Sequence, residues 1–234
     1  MDISSRLILL DNIHRLFDDF AATLEIACQR RCAACCTCNT TLTTLEGYKI
    51  ISRLDASIKS TLLLQMGAAA KGKRFTPRTT VNRMAHHCMT GRDLPEETID
   101  PAWGPCLLLS EKTCPIYVLR PFGCRCMTSK TPCAETGYAD MDEFTLTVAN
   151  LFHQFIEHLD RDGMTGNLID VLLFLGDKKN LEAYRQSGRV NASAAGLIPN
   201  SPIPVLMIPP EHRERIQPLL ASLTSLRPGE PNPN

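Results

Sequence analysis

Five cysteines fall within the eleven residues from Cys28 to Cys38, in the run Cys-Gln-Arg-Arg-Cys-Ala-Ala-Cys-Cys-Thr-Cys. Cys28, Cys32, Cys35 and Cys36 follow one another at i, i+4, i+7 and i+8, so a helix continuing through them would align four thiols on one face. Thiolates are the soft ligands taken by zinc, copper(I) and iron–sulfur clusters. An isolated free cysteine is usually a small buried hydrophobe, but four in one stripe with almost no Leu or Ile between them would pack a poor core. Metal binding is therefore the stronger reading. A second group follows in Cys106-Leu-Leu-Leu, Cys114-Pro-Ile-Tyr117, Arg120-Pro121 and Cys124-Arg125, with Cys133 beyond. Pro115 and Pro121 allow one helical turn at most between them, over 116–119, and stiffen a loop before any ligand arrives. His86, His87 and Cys88 are consecutive and point in divergent directions, so they are not read as a ligand set. The histidines His14, His153 and His158 fall on predicted helices and are read as ordinary surface or core residues.

The elements that must position these thiols are mostly helical. An apolar stripe of Leu7, Leu10, Phe17, Ala21, Leu24 and Cys28 predicts a helix over 3–28, capped by Asp2 or Ser4 and running into the first cysteines. Thr43 and Glu46 have capping-box spacing, and the stripe from Leu45 to Met66 predicts a second helix over 44–66. Residues 71–92 are basic and are read as a solvated loop with one short helix; 94–105 read as loop, and 106–114 as a short hairpin or two extended pieces. A third helix opens at Asp140 and Glu143 and runs to Leu159, a fourth spans 167–175, and a short amphipathic piece covers 180–187. Residues 188–210 carry five prolines and are expected to lie extended, able to add a strand. A last helix over 211–226 is expected to be interrupted near Pro218, with 227–234 disordered. The fold class is mainly α: a helical domain around an irregular, loop-rich cysteine cluster with at most a short hairpin. The division expected is a cysteine-cluster domain over 1–140, a C-terminal helical portion packed on it over 141–226, and the tail.

Composition sets limits on the rest. The chain has 234 residues, enough for a sizeable core without disulfide support. Lys plus Arg and Asp plus Glu are both 25, so bulk charge gives no support to nucleic-acid or membrane attraction. The longest apolar run, Leu168 to Leu175, is broken by Asp170, and the N-terminus carries no secretory pattern. A cytoplasmic protein is expected. In that reducing compartment eleven cysteines point to metal or redox chemistry rather than structural disulfides.

Cys32-Ala-Ala-Cys35-Cys36, Thr44-Leu-Glu46 opening a helix, and the motifs from Cys106 to Cys124-Arg125 together resemble the bacterial YkgJ-type family of zinc- or iron-chelating domains with a CxxCxxCC motif. The resemblance covers about Cys28 to Cys133. It implies a metal site formed by Cys32, Cys35, Cys36, Cys106, Cys114 and Cys124, with Cys28 and Cys133 as additions. The departure is at Cys28, which three intervening residues rather than two separate from Cys32. A structural zinc takes four ligands, so this many thiols suggests two sites, or a cluster with spare cysteines. An iron–sulfur cluster, 4Fe–4S by preference, tolerates ligands from distant stretches and is favoured over zinc. Arg120 and Arg125 are candidates to lower thiol pKa and offset cluster charge, or else to hold the loop through carbonyl groups. The implied function is a soluble metal-binding protein of structural, sensory or redox role. An enzyme resembling flagellin lysine N-methylase, which carries a distantly similar cysteine cluster, is the alternative, although no glycine-rich cofactor turn is present. A partner-binding helical module with structural zinc, dimerising through its N-terminal helix, is the third.

Overall fold

The computed structural model describes residues 1–29, 31–190 and 196–228. It is mainly α-helical, as the periodicities predict. Helix α1 spans Ile3–Ala21; strand β1, Thr41–Thr43, leads directly into α2, Thr44–Arg53, and α3 covers Ala56–Ala69. Helix α4 is Val81–Thr90, and two four-residue helices, α5 (Phe122–Arg125) and α6 (Cys133–Thr136), punctuate the second cysteine region. The C-terminal part holds α7 (Glu143–Leu159), β2 (Met164–Asn167), α8 (Leu168–Gly176), α9 (Lys178–Ser187), β3 (Leu197–Pro199) and α10 (Arg213–Ser225).

Side-chain caps fix several helix starts. Asp2 accepts from the Ser5 amide, Asp142 from Thr145 and Asn167 from Ile169. At α2 the predicted capping box is complete, with Thr43 and Glu46 each satisfying the other's backbone amide. The expected helix over 44–66 is two helices, because Leu54 is extended (ψ 137°) and Asp55 starts a new one. The break turns α3 so that Leu62 and Met66 are buried and α3 packs on α8.

Besides the short reversal within 106–114 there is a three-stranded antiparallel sheet in the order β1-β2-β3, with Thr41 opposite Asn167 and Thr165 opposite Ile198. Strand β2, Met-Thr-Gly-Asn, has neither β-branched richness nor alternation, which is why 160–166 reads as a plain helix end. Gly166 is required there: a Cβ would strike the Leu197 side chain and the Gly196 carbonyl. Helix α10 passes through Pro218 without the expected interruption, losing one backbone hydrogen bond. The expected tail falls mostly on 229–234, outside the described residues.

Two apolar clusters form the core, and α2 is the wall between them. Tyr48, Ile50 and Ile51 face Met66, Val171, Leu172, Leu175 and Tyr184 on one side. Leu45 faces Leu10, Phe17, Phe122, Phe152 and Ile216 on the other. Each cluster draws on residues from both halves of the chain. The apolar face of α1 is covered by α7, α2, α10 and α9.

Deep polar staples complete the interior. Asp160, fully buried, accepts from Thr44 Oγ1 (2.7 Å), the Leu45 amide (3.0 Å), Tyr184 Oη (2.6 Å) and Asn200 Nδ2 (3.2 Å). It thereby ties the start of α2 to the end of α7, to α9 and to the segment after β3.

Candidate metal centre

Helix α1 ends at Ala21, so the four-thiol helical face over Cys28–Cys36 does not form. Cooperation with a distant segment replaces it: the Ala27 amide donates to Ser129 O at 2.7 Å, drawing the chain off the helix axis and across the second cysteine region. The stretch then proceeds by turns, with Arg31 in the left-handed region at φ 71°, the Cys32 amide donating to Gln29 O and the Cys36 amide to Ala33 O. The spacing i, i+4, i+7, i+8 therefore carries no helical meaning here.

The two cysteine stretches meet backbone to backbone. The Cys106 amide donates to Cys36 O at 2.8 Å, the Cys38 amide donates to Gly104 O at 3.0 Å, and Thr37 pairs antiparallel with Pro105 between them. Polar side chains fasten this junction to the rest of the fold. Asn167 Nδ2 donates to Cys38 O at 2.8 Å, while Asn39 donates to Asp100 O at 2.9 Å and accepts from the Phe75 amide at 3.0 Å.

The second stretch is anchored by apolar residues interleaved with its cysteines. Leu108 and Ile116, each two residues after a cysteine, are buried in the first apolar cluster. Phe122, two residues before Cys124 and only 1% exposed, sits edge-on to Phe17 at 4.8 Å and stacked on Phe152 at 5.9 Å. Between Cys106 and Cys114 the chain reverses in a two-residue turn, with Glu111 at φ 48° and Lys112 at φ 60° and reciprocal bonds between Ser110 and Thr113. These positive values match the primed turns that close tight hairpins. The single turn expected between Pro115 and Pro121 is present at Tyr117–Leu119.

Glu46 links α2 to this loop. Its Oε2 accepts from the Thr43 amide (2.9 Å) and Oγ1 (3.0 Å), and its Oε1 accepts from the Phe122 amide at 2.6 Å. Burial would raise its carboxyl, but nearby His14 and the Phe122 and Thr43 amides outweigh that and bring it down to about 2. His14 itself is held below its ordinary value by burial, with its Nε2 3.8 Å from Glu46 Oε1. The direction we hold for the pair is an ionised Glu46, because three donors from Thr43 and Phe122 converge on its oxygens whatever the state of His14. One carboxylate thus serves as the helix cap and as the hook for the segment bearing Cys124.

Five of the eight candidate thiols share one neighbourhood, with Cys38 within reach of Cys106 and Cys126 within reach of Cys124 and Cys35. Cys36 lies within electrostatic reach of Cys124, Cys106 and Cys114, and Cys124 within reach of Cys106, Cys114 and Cys35. Burial pushes the Cys124 thiol up to about 12, with Thr40 Oγ1, 3.8 Å from its sulfur, pulling the other way. Burial also raises Cys106 and Cys114. Within the adjacent pair the two thiols act on each other in opposite directions, raising Cys35 and lowering Cys36. A soft cation entering here must displace protons. The donor chemistry fits zinc or an iron–sulfur cluster. Among the described residues, however, no three His, Cys, Asp or Glu side chains already converge as a bound ion requires. All eleven cysteines are free thiols.

Burial raises the Cys28 thiol, which faces Met127 O at 3.9 Å and lies within reach of Cys133, Cys32 and, least, Cys35. Cys133 heads α6. Arg125 holds the loop: its Nε donates to Arg120 O (3.2 Å), one terminal nitrogen to Val118 O (2.7 Å) and the other to Asp18 on α1 (2.8 Å). Arg120 stacks on Tyr117, its Cζ 3.9 Å from the ring centre, and its charge pulls down both Cys114 and Cys35.

The structure adds a pair that spacing did not mark. Cys126 Sγ lies 3.6 Å from His153 Nε2 on α7, both beside Phe122. Burial pushes Cys126 up to about 12 and His153 down, so this is a neutral thiol beside a neutral imidazole rather than an ion pair. Cys38 faces Asn39 Oδ1 and Lys73 O, both at 3.7 Å. Cys88 is exposed on α4, and His87 bonds to Asp93 O at 2.9 Å, away from the cysteines. No helix among the described residues is long and apolar enough to cross a membrane. No family model matches the chain, and no curated protein or solved structure is found to be significantly similar to it.

Proposed function

We propose that the chain is a metal-binding protein whose two cysteine stretches together hold an iron–sulfur cluster, or zinc in its place, in a structural, sensory or redox role. The observation carrying this reading is the backbone pairing of Cys36 with Cys106, which joins stretches about seventy residues apart and gathers Cys35, Cys36, Cys106, Cys114 and Cys124. The resemblance to YkgJ-type chelating domains and the abundance of free thiols, which a reducing cytosol would keep available, support it.

Cys36, Cys106, Cys114 and Cys124 would hold the group. A bound cluster would supply one-electron transfer or a rigid cross-link; zinc would supply the cross-link alone. Arg120 offsets the negative charge that gathered thiolates accumulate, and Arg125 keeps the loop closed from below through Val118, Arg120 and Asp18.

A cysteine-to-serine series tests the reading by metal content of the purified protein. Cys36→Ser, Cys106→Ser, Cys114→Ser and Cys124→Ser should each lose metal, with Cys88→Ser unchanged. Metal retained at wild-type level in all four would overturn it.

A further inference from the structure

We propose that the eight candidate thiols divide between two metal centres of four cysteines each: Cys36, Cys106, Cys114 and Cys124 in one, and Cys28, Cys32, Cys35 and Cys133 in the other. This rests on the metal-binding reading above and states how its ligands are shared.

The division follows the backbone. Cys36 and Cys106 are fixed by the pairing of 36–38 with 104–106, and Cys124 is fixed against β1, its sulfur 3.8 Å from Thr40 Oγ1. Cys28 is fixed elsewhere, by the bond from Ala27 to Ser129 at 2.7 Å and by its own thiol facing Met127 O. Segment 127–133 lies past the end of α5 and carries Cys133, so the first stretch touches the second at two separate places. Cys28 lies within electrostatic reach of Cys133, Cys32 and Cys35, and Cys36 within reach of Cys35, Cys124, Cys106 and Cys114, so Cys35 is the thiol the two groups share.

Cys35 stands between the groups, within reach of Cys28 on one side and Cys124 on the other. Four thiolates complete a tetrahedral zinc site or ligate a cluster. With Cys36 committed to the first group, which then has four, Cys35 supplies the fourth ligand of the second. Adjacent side chains that are awkward on a single ion become useful here, because consecutive residues can direct one thiol to each centre. The three-residue gap between Cys28 and Cys32 also ceases to be a flaw, since Cys28 no longer has to reach the centre that Cys36 serves.

Cobalt(II), whose thiolate complexes absorb in the near ultraviolet and visible, can be titrated anaerobically into the reduced, metal-free full chain. The wild type should take up about two equivalents. The Cys28→Ser/Cys133→Ser double variant and the Cys106→Ser/Cys124→Ser double variant should each take up about one, with circular dichroism showing that the helices remain. About one equivalent in the wild type would overturn the division while leaving the metal-binding proposal standing, whatever the variants do. No thiolate–cobalt absorption in the wild type would overturn both. Two equivalents in the wild type that both vanish in either double variant would show a single joint assembly and overturn the division.

Discussion

Replacing Glu46 by Gln is the sharpest test of how the cysteine loop is attached. In the wild type both carboxylate oxygens accept, one from Thr43 N and Oγ1 and the other from Phe122 N at 2.6 Å. A glutamine has one accepting oxygen, and its amide nitrogen must then face either Thr43 or Phe122 as a donor against a donor. Leaving a buried amide unpaired costs about 1–3 kcal/mol, and losing bonds to a charged acceptor adds to it. At 4% exposure water cannot compensate. The expected loss at neutral pH is about 3 kcal/mol, against a total stability on the order of 5–15 kcal/mol.

The pH dependence gives an independent check. The folded Glu46 carboxyl at about 2 lies below its ordinary 4.5, so its stabilisation is fully present above about pH 4.5 and is lost as pH falls towards 2. Urea denaturation of wild type and Glu46→Gln, followed by circular dichroism at pH 7 and at steps down to the acid limit of folding, should show a gap that narrows with acid. Contributions common to both proteins, including that of Asp160, cancel in the difference. A gap below about 0.5 kcal/mol at pH 7, or one that does not shrink, would refute the attachment.

Three further outcomes are expected. Asp160→Asn should cost about 2–4 kcal/mol in chemical denaturation, because every group around the carboxylate is a donor; a neutral effect would contradict the staple. Phe122→Ala should cost about 3–5 kcal/mol and raise the reactivity of Cys124 and Cys126 towards a thiol reagent, since the ring packs between Phe17 and Phe152. Unchanged thiol reactivity would mean that Phe122 does not hold the cysteine loop. Arg125→Ala should speed metal loss to a chelator with little change in the amount bound, because Arg125 bonds carbonyls rather than thiols; lost capacity would instead make it part of the binding site.

The helices were legible where apolar periodicity coincided with a cap. Thr43 with Glu46 fixed the start of α2 from local chemistry alone, and the stripe of Phe144 and Val148 marked α7, whose cap is Asp142 rather than the expected Asp140. What sequence could not show was decided by distant partners. The end of α1 depends on Ala27 finding Ser129, and β2 exists because Gly166 lets Leu197 approach. At the candidate site, a joint role for the two cysteine stretches was implied by the family resemblance, and the proline-bracketed loop between Pro115 and Pro121 was legible on its own. The helical thiol stripe was an accident of spacing, and α5 was hidden because its four residues leave no periodicity. Two signals were present but easy to miss: the apolar residue two positions from each of Cys106, Cys114 and Cys124, and the second role of Glu46. Nothing in the sequence places His153 beside Cys126, because that contact is made by α7 crossing under a loop.

The most direct measurement of the central claim is anaerobic purification of the full chain, followed by metal and sulfide analysis and an absorption spectrum. The account predicts iron with inorganic sulfide and a broad visible band, both diminished on Cys36→Ser or Cys106→Ser. Stoichiometric zinc with no visible band would replace the cluster by zinc and keep the thiol site. A chain with no bound iron or zinc, and with all its thiols open to titration, would contradict the account.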